Sequence, residues 1–145
     1  MNPSDRTISR LALAAALVLS LAACSSGGAA SPPAATRTIQ ITMNDQMRFE
    51  PATFEVAVGE TVRFDVRNDG QIVHEFYVGT ADDQVAHEAE MAAGHATHDH
   101  TNSVNVDPGQ TKPLELTFAR AGTLEVGCHV PGHWPAGMRG TITVK

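Results

Sequence analysis

Residues 128–138 read Cys-His-Val-Pro-Gly-His-Trp-Pro-Ala-Gly-Met, a Cys-x4-His-x4-Met spacing that gathers a thiol, an imidazole and a thioether in one short segment. His74, far upstream, can supply a second imidazole. A thiolate, two imidazoles and a weak axial thioether are the donors of a blue-copper centre. The soft thiolate bonds to copper and excludes hard cations, the imidazoles suit both Cu(I) and Cu(II), and a distant thioether favours Cu(I). A site that accepts both oxidation states changes little when one electron comes or goes. Each of these residues alone reads equally well as an ordinary core side chain; the chemistry lies in their combination.

Such donors need a rigid frame, and the chain from Thr38 onward supplies a pattern for one. Apolar residues alternate with polar ones in short runs broken by turn residues, while helical periodicity is nearly absent. Ile39, Ile41 and Met43 share one parity, as do Phe54, Val56 and Val58 before a Gly59-Glu60 turn. Val62, Phe64 and Val66 alternate with charged residues up to Asn68-Asp69-Gly70. Leu114, Leu116 and Phe118 follow an Asp-Pro-Gly turn, then come Leu124 and Val126, and Ile142 and Val144 near the end. About seven to eight short strands at this spacing predict an all-β antiparallel sandwich or Greek-key barrel. Side chains two apart share a sheet face. His74 therefore points inward with Ile72, Phe76 and Val78, Cys128 with Leu124 and Val126, and Met138 with Ile142 and Val144.

The sequence resembles the cupredoxins, the family of plastocyanin, azurin and rusticyanin, over residues 38–145. The likeness is carried by Phe49-Glu50-Pro51, by residues 56–62 with Asn68, by His74-Glu75-Phe76, and by the loop from Cys128 to Met138 followed by Gly140-Thr141-Ile142-Thr143-Val144. It implies a cupredoxin-like Greek-key β-sandwich or barrel holding one type-1 copper. It makes His74 the upstream ligand, Cys128 the thiolate, His133 the second imidazole and Met138 the axial ligand. Where several family members carry Asn or Ser after the upstream His, this chain has Glu75. The backbone N–H that bonds the ligand sulfur is retained, whereas the change puts the side-chain tie between the ligand loops in question. A carboxylate there should also favour Cu(II). His129, next to the thiolate, points to the opposite face by parity and is expected to be a solvent-exposed bystander. Val130, Pro131, Trp134, Pro135 and Ala136 should form an apolar rim around His133, where transient redox partners would dock.

Residues 80–102 depart from the sandwich pattern. Residues 81–93 are helix-compatible with acids in the first turn, and Gly94 to His100 reads as loop. The insert holds four of the seven histidines, His87, His95, His98 and His100. His87 and Met91, four apart, would share one helix face. With Glu88, Glu90 and Asp99 they form candidate secondary metal ligands for Cu(II), Zn(II) or, through Met91, Cu(I), set against the alternative of a solvated loop.

The N-terminal region reads as an address. Arg6 and Arg10 precede an apolar run over residues 11–23, too short to cross a bilayer that needs about 20 residues. The run ends in Leu21-Ala22-Ala23-Cys24, which resembles the bacterial lipobox. It predicts a lipoprotein signal peptide at 1–23, lipidation of Cys24 and a flexible tether at 24–37 rich in Ser, Gly, Ala and Pro. The working domain is then 38–145, extracytoplasmic in the periplasm or cell envelope and anchored to the cell membrane or outer membrane.

Composition excludes much else. A chain of 145 residues with two cysteines, 18% charged residues and net charge −6 offers neither a disulfide scaffold nor a four-cysteine zinc site, and no basic footprint for nucleic acid. No nucleophile or acid–base constellation marks an enzyme. The expectation is a non-enzymatic carrier of single electrons with a cytochrome, copper oxidase or reductase as partner. The alternative is a copper-binding protein for acquisition, storage or resistance that works with a copper-handling partner and uses the insert.

Overall fold

The computed structural model describes residues 37–94 and 100–145; the lipobox with Cys24, most of the tether, His95 and His98 lie outside the described residues. Nine strands and one helix follow in order: β1 (Arg37–Asn44), β2 (Arg48–Glu50), β3 (Thr53–Val56), β4 (Thr61–Asn68), β5 (His74–Gly79), α1 (Ala81–Ala92), β6 (Ser103–Val106), β7 (Thr111–Thr117), β8 (Gly122–Gly127) and β9 (Arg139–Val144). They form a β2-β1-β4-β7 sheet and a β3-β9-β8-β5-β6 sheet. The count exceeds the expected seven to eight because the stretch before β4 is divided. Its early part pairs with β1, and after Pro51 the chain crosses to β9 in the other sheet. The sandwich is also not purely antiparallel. β1 runs parallel to β4, with Ile41 beside Val66, and β3 runs parallel to β9, with Phe54 beside Ile142.

The alternating residues meet between the sheets. Ile41, Met43, Val62, Phe64, Val66, Phe76, Val126, Ile142 and Val144 are buried in one core. All five phenylalanines join it, with Phe64 at its centre: its ring lies 5.3 Å from Phe76, 5.5 Å from Phe54 and 6.3 Å from Phe118, and Phe49 meets Phe76 edge-on at 5.7 Å. Such ring pairs contribute about 0.5–1.5 kcal/mol each beyond the area they bury. Two parity readings fail at strand ends. Val58 lies past β3 and is exposed, and Ile72, 43% exposed, precedes β5 in a bend where strand alternation does not apply.

β5 is buried at all six positions, unlike the half-buried strands around it. Its inner face meets the core, and α1 covers the outer face. Thr80 starts the helix through a capping box: its hydroxyl accepts the Asp83 N–H at 3.2 Å, and the Asp83 carboxylate accepts the Thr80 N–H at 2.8 Å. Gly94, at φ +81°, follows the helix in the left-handed conformation that glycine adopts freely. Between these stops, Gln84, His87 and Met91 fall on one face and are buried. The insert is thus a lid laid over the sheet, at least as far as Gly94.

Candidate metal centre

His74 opens β5, Cys128 directly follows β8 and Met138 directly precedes β9. These strands are neighbours in one sheet, so pairing alone brings the three to the same end of the sandwich. The intervening loop is fixed by its own backbone: His133 N–H donates to Val130 O at 2.9 Å, Met138 N–H to His133 O at 3.1 Å, and Cys128 N–H to Met138 O at 3.2 Å. Gly132 at φ +91° and Gly137 at φ +94° make the turns.

Nδ1 of His133 lies 3.2 Å from Cys128 Sγ and Nδ1 of His74 lies 3.8 Å from it. Two ligand atoms held by one ion at about 2.0–2.3 Å stand roughly 3–4 Å apart, so the spacing suits a single metal. All three residues are buried, and Met138 is fully buried in the core cluster that contains Cys128. Burial pulls the His133 pKa down, which keeps its imidazole neutral and its lone pair available. Burial pushes the Cys128 thiol up to about 11, opposed by N–H groups of Glu75 and Val130. A bound cation would displace that proton and hold the thiolate. Donor set, convergence and burial therefore fit a copper ion.

Sequence reasoning missed the partner that orients His74. Asp45, in the turn after β1, meets His74 Nε2 at 3.1 Å, which leaves Nδ1 facing the sulfur. Asp45 is itself held by the Gln71 N–H at 2.7 Å, and that bond, with His74, keeps its carboxyl below the usual range. Gly70 makes room: a Cβ there would stand 2.0 Å from Asp45 Oδ1. Asn68 secures the same bend, its amide donating to Ile72 O at 2.7 Å and Val106 O at 2.9 Å while its side-chain oxygen accepts the Gly70 N–H at 2.8 Å. No local pattern marks Asp45, because its contact is made across the fold.

Two readings on the opposite face are corrected, and the question of the Glu75 tie is answered. His129 does point away from Cys128, but it is fully buried, not exposed, because α1 lies over it. Its Nδ1 meets Glu88 at 2.8 Å, its Nε2 meets Gln84 Oε1 at 2.7 Å, and its ring stacks on Trp134 at 4.6 Å. Trp134 consequently leaves the expected rim and is buried between His129 and Arg139, whose guanidinium lies 3.8 Å from the ring centroid. Glu75 does not lose the tie between ligand loops. Its carboxylate, 2% exposed, accepts the His129 N–H at 3.3 Å, while its own N–H donates to Cys128 Sγ at 3.3 Å.

Of the candidate secondary ligands, His87 and His100 come together with Glu90, their donor atoms within 4.8 Å of one another. Met91 is buried on the His87 face of α1.

A thiol facing two imidazoles at one end of a two-sheet β-sandwich defines a cupredoxin. The chain belongs to the plastocyanin/azurin family of copper binding proteins, whose model matches residues 35–145, and copper is its cofactor. It is 43% identical over 112 residues to the copper-resistant cuproprotein CopI of Rubrivivax gelatinosus, covering 77% of this chain and 68% of the relative. It is 36% identical over 149 residues to the copper-resistant cuproprotein CopI of Pseudomonas aeruginosa, covering 82% of each. Among solved structures it resembles auracyanin A, a "blue" copper protein from Chloroflexus aurantiacus. The TM-score is 0.62 at 26% identity, with 74% of this chain and 98% of that one covered.

Proposed function

We propose that this chain is a type-1 copper protein that exchanges single electrons at the cell envelope, with His74, Cys128, His133 and Met138 as its copper ligands. One observation carries the reading: the Nδ1 atoms of His74 on β5 and of His133 in the loop after β8, far apart in sequence, both face one buried sulfur. Copper, when bound, supplies the one-electron couple. The chain's own residues do the rest. Asp45 fixes the His74 ring, the Glu75 and Val130 N–H groups stabilise charge on the sulfur, and burial keeps water from the ligands. Val130, Pro131, Pro135 and Ala136 border His133 in sequence and suit a small contact with a redox or copper-handling partner. The test is copper titration with optical and EPR spectra on wild type and Cys128→Ser. The wild type should develop a thiolate-to-copper charge-transfer band, and a band surviving the substitution would overturn the ligand set.

A second reading, that this chemistry serves copper resistance, is favoured by the two relatives named copper-resistant cuproproteins and by an insert that brings His87, Glu90 and His100 together. Cells lacking the protein should then grow poorly in raised copper and be rescued by wild type but not by Cys128→Ser. Growth unaffected by copper, with rapid reduction by a cytochrome, would favour electron carriage. Lipidation of Cys24 after removal of residues 1–23 would hold the domain at a membrane by way of the tether. Release of Cys24→Ser into the soluble fraction would support this, and unchanged membrane association would refute it.

A further inference from the structure

We infer that α1 and the end of the connection into β6 carry a second metal site, a divalent-cation site made by His87 Nδ1, Glu90 and His100. This site does not depend on the type-1 assignment. A further consequence, its linkage to the copper centre through Glu75, rests on that reading.

His87 is 3% exposed, and its two ring nitrogens have different surroundings. Nε2 meets both oxygens of the buried Glu75 carboxylate at 3.0 and 3.1 Å. In a neutral imidazole, a proton on the Nε2 that faces an accepting carboxylate leaves Nδ1 with its lone pair. Among the described residues that buried Nδ1 has no hydrogen-bond partner, a costly state for a polar atom. It points toward Glu90, one turn on, whose Oε2 lies 3.7 Å away, too far for a hydrogen bond. The same Oε2 is 3.9 Å from His100 Nε2. These are separations that one ion at about 2.0–2.2 Å from each atom would bridge. A carboxylate behind a histidine, fixing its tautomer and raising its basicity, is how metal-binding imidazoles are commonly oriented.

The chemistry of the site favours a borderline divalent ion. Two imidazoles and a carboxylate suit Zn(II) or Cu(II). Tyr77 closes one side, its ring stacked on His87 at 4.1 Å and edge-on to His100 at 5.9 Å. Glu90 is exposed and His100 is half-buried.

Glu75 joins this site to the copper centre. Its carboxylate backs His87 and accepts the His129 N–H, while its backbone N–H donates to Cys128 Sγ. A cation on His87 draws charge from that carboxylate and adds positive charge near the copper, both of which favour Cu(I). By linkage, the reduced protein then binds the second ion more tightly than the oxidised protein does.

Removing the insert is a poor test, because it would uncover Glu75 and His129. Zn(II), which is redox-silent, should instead be titrated calorimetrically into the copper-loaded full chain, with the visible band and circular dichroism followed separately. One Zn(II) should bind with a dependence on these ligands, at least tenfold weaker in Glu90→Gln and in His100→Gln, with the visible band and fold unchanged. Zn(II) affinity equal to wild type in both variants would overturn the site. Tighter binding to the dithionite-reduced than to the oxidised protein, with the difference diminished in Glu75→Gln, would support the linkage. Equal affinity in the two states would overturn it. A wild type with no visible band would refute the type-1 assignment, while the Glu90 and His100 comparison would still judge the site.

Discussion

Glu75 faces Cys128 with its backbone and turns its side chain the other way. The N–H donates to Sγ at 3.3 Å, and the carboxylate holds the His129 N–H on the outer face of the sheet. One residue thereby stabilises the thiolate and ties β5 to the ligand loop, and its negative charge stays buried beneath α1. The charge should favour Cu(II). Glu75→Gln keeps a hydrogen-bonding side chain and removes the charge, so the reduction potential should rise. Potentiometry giving the same value for wild type and variant would dismiss this electrostatic role.

Asp45 orients His74 from across the fold, and Gly70 leaves the space for it to do so. Losing a partner that orients a metal-binding histidine typically costs about 10–100-fold in metal affinity. Asp45→Ala should lower copper affinity by that order. Gly70→Ala should do likewise, because the added methyl would sit where the Asp45 carboxylate now lies. Competition with a copper chelator measures both, and an unchanged affinity in Asp45→Ala would show that His74 needs no such support.

Burial raises the Cys128 pKa from 9.0 to about 11, so the copper-free fold retains the proton that an unfolded chain gives up earlier. The associated stability is fully present below pH 9.0 and is lost as pH rises through about 11. Urea unfolding of the copper-free protein should show this decline, and Cys128→Ser should show less of it. Copper uptake at neutral pH should release a proton from the thiol, detectable in a weakly buffered titration.

Gly127 sits beneath the helix lid. A Cβ there would stand 2.3 Å from Gln84 Oε1, 2.4 Å from Trp134 Cζ3 and 2.7 Å from His129 Nε2. Gly127→Ala should therefore destabilise the domain by about 1–3 kcal/mol through overpacking, read as a lowered thermal midpoint. If α1 were only loosely laid on the sheet, the midpoint would barely move.

The candidate copper ligands were legible because each follows from local pattern. Strand parity turned Cys128 inward, and the loop spacing set His133 and Met138 behind it. The capped helix was legible as well, from the acids and the break in alternation after Gly79. What parity could not supply was a second layer. It identifies which residues leave the core face, but the fate of those residues depends on whatever packs outside. Parity takes His129 off the core face and so leaves it exposed, whereas burial of His129 and of all of β5 follows only once α1 is laid across them.

The sequence by itself determined the donor types, their spacing, the period-two frame and the place of the insert, because all of these are properties of neighbouring residues. Only the tertiary structure decided which polar groups complete the arrangement. Asp45 reaches His74 from 29 residues away, and Glu75, His87 and His129 meet where a helix crosses a sheet. Buried polar atoms must find partners wherever the packed chain brings them, and that proximity is set by the fold, not by distance along the sequence.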